Sequence, residues 1–272
     1  MNTKTNKTDK QPRILYCNCS NSSIIHTETK QEVQSALHCS GMDIITVPDL
    51  CGLAARRHLK LEHIAASESL TIVACYPRAV KWLFYSAGVT LSETVKILNM
   101  REQTIEEIKN ILGKEKNQVE SINDTTFPDF SDNKESEWIP WFPVIDYDRC
   151  KNCQQCASFC LFGTYETTSD GRVVVSNPHH CKTNCPACAR ICPEAAIMFP
   201  KLEESPINGD EIRNEQETRA LIQLNTEAML GDDVYAALAE RRRKAKRRLL
   251  KSKKDAEDQA YKERQAYIEN SQ

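Results

Sequence analysis

Glycine is scarce: the 272 residues hold eight, and no two of them form a G-x-G. A Rossmann unit needs that spacing to bring its backbone against a pyrophosphate, so no flavin is expected in this chain. Long apolar runs are also missing, and nothing approaches the ~20 residues of a membrane span. The opening stretch, Met1 to Gln11, is polar and lysine-dotted, without the apolar centre of a signal peptide. Net charge is −2, which gives no global attraction to nucleic acid or to a membrane. No nucleophile stands beside an evident base, so no catalytic constellation is read. Together these absences predict a cytoplasmic chain.

Cysteine is what the chain has in excess, with thirteen. Without an export signal, that number points to metal ligation rather than disulfides. Eight fall between residues 150 and 192. Cys150, Cys153, Cys156 and Cys160 read C-x2-C-x2-C-x3-C, and Cys181, Cys185, Cys188 and Cys192 read C-x3-C-x2-C-x3-C, followed by Pro193. Structural zinc uses two cysteine pairs separated by a loop, not four cysteines within a dozen residues, twice over. Three thiolates from one tight turn can instead reach three irons of a cubane. His179 and His180 precede Cys181 and are assigned to a loop or supporting role, since eight thiolates already complete two cubanes.

The doubled motif resembles the two-cluster bacterial ferredoxins over about sixty residues, Trp141 to Pro200. In that family the fourth cysteine of each motif ligates the other motif's cluster. The resemblance therefore implies one 4Fe-4S cluster on Cys150, Cys153, Cys156 and Cys192, and a second on Cys181, Cys185, Cys188 and Cys160. Val144 to Asp146 and Gly171 to Val175 read as strands, and Ala195 to Ile197 as the closing segment. Leu161 stands where the family has proline, and one residue is inserted between Cys181 and Cys185.

Residues 12–112 alternate strand-like and helical patterns. Ile14 to Tyr16, Met42 to Val47 and Leu70 to Ala74 are expected strands. Glu32 to His38, about Gly52 to Ala66, and about Ala79 to Ser86 are expected helices. Such alternation implies a small parallel sheet. Thr104 and Glu107 form a capping box opening a further helix, which Gly113 is expected to end. Cys17 and Cys19 follow the first strand, Cys51 the second, and Cys75 the third. All four therefore belong to the carboxyl edge, where parallel sheets bind ligands. They are either buried core thiols or holders of a third 4Fe-4S cluster. Cys39, at the end of a helix, is expected to be structural.

The segments at Cys17 (CNCS), Cys51 (CGLAARR), Cys75 (VACYPR) and Asn99 (NMREQ) resemble the N-terminal domain of the flavin-bearing, A-type component of heterodisulfide reductase. The resemblance implies an iron–sulfur module inside an electron-transfer complex, and favours the third cluster. Thr104 stands where that family has a cysteine, and its flavin unit is missing, so any flavin belongs to a partner.

Residues 113–140 read as a flexible acidic linker. Its end, Trp138 to Pro143, is aromatic and expected to pack over the dicluster region. Residues 201–231 read as a polar connection. From Asp232 the composition is helical, and ten of the fourteen residues from Arg241 to Lys254 are Lys or Arg. That block is a solvated helix, a dock for an acidic partner, or a nucleic-acid or membrane contact. It carries no interleaved aromatics, which counts against nucleic acid.

The expected architecture is thus multidomain: a small α/β parallel-sheet domain (12–112), the linker (113–140), an α+β ferredoxin-like dicluster domain (141–200), and a connection leading to a long charged C-terminal helix (201–272). The expected role is single-electron relay within a cytoplasmic oxidoreductase complex of heterodisulfide-reductase-like type, with other redox subunits as partners. The alternative is an iron–sulfur redox sensor whose basic helix engages a partner or nucleic acid.

Overall fold

The computed structural model describes residues 13–116, apart from 41 and 68, and residues 138–244, apart from 232, 235 and 242. Among them no helix is long and apolar enough to cross a membrane.

The first region is built on four parallel strands: β1 (Arg13–Cys17), β2 (Asp43–Val47), β3 (Leu70–Ala74) and β4 (Lys96–Asn99), in the order β2-β1-β3-β4. The apolar run of β3 is buried at every position, as expected of a central parallel strand. Strand β4 was not expected from the sequence. It is an edge strand with only Ile97 and Leu98 to mark it, too short a run to separate from a turn.

The connections are α1 (Thr27–Ser40), α2 (Leu50–Ala55), α3 (Lys60–Ala65), α4 (Pro77–Ser86) and α5 (Ile105–Lys116). The single helix expected from Gly52 to Ala66 is corrected to α2 and α3. Arg57 takes φ +50°, its N–H bonds to Ala54 O at 3.0 Å, and His58 N–H reaches Leu53 O at 3.0 Å. Those two bonds are a Schellman ending, with arginine where glycine usually signals it. The capping box forms as expected: Thr104 N–H donates to Glu107 at 2.8 Å and Glu107 N–H to the Thr104 hydroxyl at 3.3 Å. Helix α5 nevertheless continues past Gly113 to Lys116. One exposed glycine costs a helix only about 1 kcal/mol, which does not stop it. Cys39 lies exposed on α1.

The second region pairs β5 (Val144–Ile145) with β8 (Ile197–Met198), and β6 (Tyr165–Thr167) with β7 (Val173–Val175), both antiparallel. Two short helices, α6 (Gln155–Phe159) and α7 (Ala187–Arg190), lie between them in the chain. The polar connection expected at 201–231 is corrected as well, because it contains α8 (Glu215–Leu230). Asn214 caps it by accepting from Gln216 and Glu217 N–H, and Gly231 follows its last turn. Only Leu230 of this helix is buried, so no apolar stripe announced it. Beyond it, residues 234, 236–241, 243 and 244 are helical. Most of the basic block, and residues 117–137 of the acidic linker, lie outside the described residues.

The two regions share a core. Phe142, Val144 and Met198 pack in the same apolar cluster as β1 and β3. Arg78, on α4, donates to Asp146 at 2.7 Å, to Ala195 O at 2.6 Å and to Asp210 O at 3.4 Å. Gly209, at φ +98°, lies so close to α4 that a Cβ would sit 2.4 Å from that of Ala79. Lys201 and Asp49 form an ion pair with side chains 5% and 4% exposed. The Lys81–Asp148 pair, at 53% and 68%, is a surface bridge worth about 0–1 kcal/mol. Breaking a buried pair costs about 3–5 kcal/mol, so Lys201 is the polar contact that matters most here.

Candidate metal centres

In the dicluster region the cysteine loops are wound by residues in the left-handed region: Asn152 at φ +55°, Gln154 at +62° and Asn184 at +60°. The Asn152 side chain accepts from Val173 N–H at 3.1 Å, tying the first loop to β7. The inserted residue between Cys181 and Cys185 is taken up in a turn closed by Cys185 N–H donating to Lys182 O at 3.1 Å.

The thiols then sort into two neighbourhoods. Burial pushes the Cys156 thiol up, and Cys192, Cys153 and Cys150 push it further. Burial likewise raises Cys192, with Cys153 and Cys150 again close enough to act on it. Burial pushes Cys181 up to about 12, with Cys160 and Cys185 beside it. Cys188 rises well above the ordinary thiol value, chiefly through burial, with Cys156, Cys181 and Cys160 acting on it. Cys192 therefore keeps company with the first motif and Cys160 with the second, and Cys156 and Cys188 bring the two groups together.

Those eight thiols fit iron–sulfur clusters in their chemistry. They are free and line two hollows, four to each. Burial raises the Cys150, Cys156, Cys181, Cys188 and Cys192 thiols, and ligation to iron replaces a thiol proton with an Fe–S bond. Cys160, Cys181, Cys185 and Cys188 line a cavity of about 210 Å³ with Phe159 and Tyr165. Cys150, Cys153, Cys156 and Cys192 line a smaller hollow, of about 20 Å³. Among the described residues no three His, Cys, Asp or Glu side chains are placed to hold a single metal ion. A cubane asks for something different, thiolates spread around the outside of a four-iron core.

Around the sulfurs, a main-chain N–H and the Tyr165 hydroxyl donate, while the Cys160 thiol itself donates to the Thr164 hydroxyl. Ala196 N–H donates to Cys192 Sγ at 3.4 Å. Tyr165 Oη lies 3.1 Å from Cys188 Sγ, and Thr164 Oγ1 3.5 Å from Cys160 Sγ. Of the aromatic segment, Trp141 stacks on Phe199 at 5.2 Å within the dicluster core, while Trp138 meets His179 at 4.0 Å in a tilted contact and packs against the first region's core. His179 and His180 are both exposed, on a 3-10 turn ahead of Cys181.

The first region's four cysteines meet at the carboxyl edge of its sheet. Strand order reverses between β1 and β3, and the crevice there lies between Cys17, which ends β1, and Cys75, which follows β3. Cys51, in the first turn of α2, and Cys19, held at φ +47°, complete the group. Burial raises all four thiols, Cys75 to about 12, and they act on one another: Cys19 and Cys75 on Cys17, Cys75 and Cys19 on Cys51, Cys19 on Cys75. Leu50 N–H donates to Cys17 Sγ at 3.3 Å. Charges of both signs act on the group: Asp49 raises Cys19 further, while Lys201, Lys30 and Arg101 draw it down against its burial. Arg101 also donates to Leu202 O at 3.0 Å and sits 4.8 Å over the Tyr76 ring. Thr104 stands apart from this chemistry as the cap of α5.

Sequence reasoning missed Lys201 and Tyr165. Lys201 lies 150 residues from Cys51, in a stretch with no motif, and nothing local marks it. Tyr165 did carry a signal, as a polar-tipped aromatic five residues after a motif cysteine.

Comparison with known proteins defines the class first. Residues 142–193 match the model of the 4Fe-4S dicluster domain. Over 72 residues the chain is 31% identical to the pyruvate synthase subunit PorD of Methanocaldococcus jannaschii, covering 81% of that protein and 26% of this chain. The PorD subunit of Methanothermobacter marburgensis is 30% identical over 69 residues, 78% of its length and 25% of this chain. An uncharacterised ferredoxin of M. jannaschii is 50% identical over 68 residues, a quarter of this chain. The match spans 46% of that ferredoxin's own length. Through residues 142–193 the chain belongs to the 4Fe-4S dicluster ferredoxin family.

Proposed function

We propose that the chain relays single electrons between redox partners through two 4Fe-4S clusters, one on Cys150, Cys153, Cys156 and Cys192 and the other on Cys160, Cys181, Cys185 and Cys188. The observation that carries this reading is the exchange of partners, Cys192 lining a hollow with the first motif and Cys160 lining a cavity with the second. Each cluster, when bound, takes up and returns one electron with little change in its cage. The chain's own work is to hold the thiolates fixed, exclude water and direct hydrogen bonds at sulfur. Trp141, Ile145, Val173 and Phe199 supply the dry wall.

A third cluster on Cys17, Cys19, Cys51 and Cys75 belongs to the same reading. Its support is four thiols gathered at a sheet crevice, with Lys30 and Arg101, beyond the Lys201–Asp49 pair, to offset the negative charge of a thiolate-bound cluster. The kinship with PorD, which is part of pyruvate synthase, supports work within a complex of several chains, and the N-terminal motifs favour a heterodisulfide-reductase-like assembly with a flavoprotein partner. Iron and acid-labile sulfide per chain on anaerobically purified protein, with an EPR spectrum of the reduced form, test it. About twelve irons are expected; about eight would remove the N-terminal cluster, and fewer would overturn the dicluster ligands as well.

A further inference from the structure

The two halves of the dicluster region are related in sequence, so corresponding positions can be compared directly. Four and five residues after Cys160 stand Thr164 and Tyr165; four and five after Cys192 stand Ala196 and Ile197. Both pairs occupy the start of, or the approach to, a short strand, β6 and β8. Where the first site meets a methyl group and an isoleucine, the second meets two hydroxyls. Thr164 is 1% exposed and Tyr165 8%. Tyr165 Oη is 3.1 Å from Cys188 Sγ and Thr164 Oγ1 is 3.5 Å from Cys160 Sγ. At the first site the main chain donates, Ala196 N–H to Cys192 Sγ at 3.4 Å, while the Cys150 thiol lies 3.7 Å from the Asn152 side-chain oxygen, which cannot donate to sulfur.

We propose that Tyr165, with Thr164 beside it, is a positioning residue that raises the reduction potential of the second cluster by donating hydrogen bonds to its cysteine sulfurs. The proposal rests on Cys160 and Cys188 being ligands of that cluster. A ligated thiolate has no proton, so between phenol and sulfur only the phenol can donate. Reduction adds one electron, supplied by the redox partner, and makes the cage one unit more negative. A buried O–H dipole aimed at sulfur stabilises that added charge more than it stabilises the oxidised cage, in a dry site where the effect is weakly screened. The fold therefore offers the first cluster a main-chain donor, at Ala196, and the second a side-chain donor, at Tyr165. Tyr165 is the stronger donor by distance and by the acidity of a phenol.

The test is an anaerobic potentiometric titration with dithionite, followed by EPR, of the full chain and its Tyr165→Phe variant. One of the two dicluster couples is expected to move to lower potential. At a fixed potential its reduced-to-oxidised ratio should fall about tenfold, or 59 mV for one electron, while the other couple stays. Two unmoved couples at full iron content overturn the proposal. If the phenylalanine variant loses its cluster, Tyr165→3-fluorotyrosine decides the matter: it keeps the ring and strengthens the donor, so the same couple should rise, and a couple that stays in place overturns the proposal. Iron content of the unaltered protein separates this result from the ligand assignment. Fewer than about eight irons sinks the assignment, whereas full iron with an unmoved couple sinks only the role of Tyr165.

Discussion

The two cysteine-rich regions reach the same kind of thiol grouping by opposite routes. Around Cys150–Cys192, tight left-handed turns put three thiols of a motif side by side, and packing of the halves contributes only the fourth. At the sheet edge no two of Cys17, Cys51 and Cys75 are near in sequence, and the parallel order β2-β1-β3-β4 alone brings them together. A site built from local turns needs little beyond its loop, whereas a site built from topology depends on every contact that holds the sheet and its neighbours in register. The first route tolerates damage elsewhere in the chain; the second should not.

The largest test of that contrast is in iron content. Cys51→Ser should remove about four irons per chain and leave the EPR signature of the dicluster unchanged, while Cys192→Ser should remove iron from the dicluster region and leave the N-terminal site filled. Equal losses from both sites in either variant would mean the regions are not separable in this way. Next comes Lys201→Met. It leaves Asp49 charged and buried beside Cys51, and should lower unfolding stability by about 3–5 kcal/mol in a denaturant titration. The N-terminal iron should also become the first to yield to a chelator. A loss below about 1 kcal/mol would show that the pair is solvated in the molecule.

The smallest effect concerns α8 and depends on pH. Arg149 grips Glu215 with two bonds, at 2.7 and 3.0 Å, and holds its carboxyl below the ordinary value of 4.5. A carboxyl lowered on folding contributes stability above its unfolded value, and loses it as pH falls through the folded one. Amide exchange in α8 should therefore quicken as pH drops below 4.5, once corrected for intrinsic rates, with no matching change in β1 or β3. Uniform behaviour of all three elements would remove Glu215 as the cause.

Much of this molecule was legible in one dimension. The strands β1 and β3 were plain because buried parallel strands need apolar runs, β2 because its run of β-branched residues stands out even at the sheet edge, and the Thr104–Glu107 cap because its two bonds span only three residues. The break between α2 and α3 was not, since Arg57 adopts a backbone conformation that glycine would have advertised. Helix α8 was hidden by its polar surface, having only one buried side chain to leave a period in the sequence.

For the metal centres the division is sharper. Spacing by itself determined that Cys150, Cys153 and Cys156, and likewise Cys181, Cys185 and Cys188, would stand together, because a turn of a few residues has few conformations open to it. It also placed Cys17, Cys19, Cys51 and Cys75 at one edge, since parallel strands all end on the same side. Only the tertiary structure decided that Lys201 would supply the buried charge beside Cys51, and that Tyr165 would aim its hydroxyl at Cys188. Contacts between residues distant in the chain follow from how elements pack, and packing is fixed by the whole core rather than by any stretch of it.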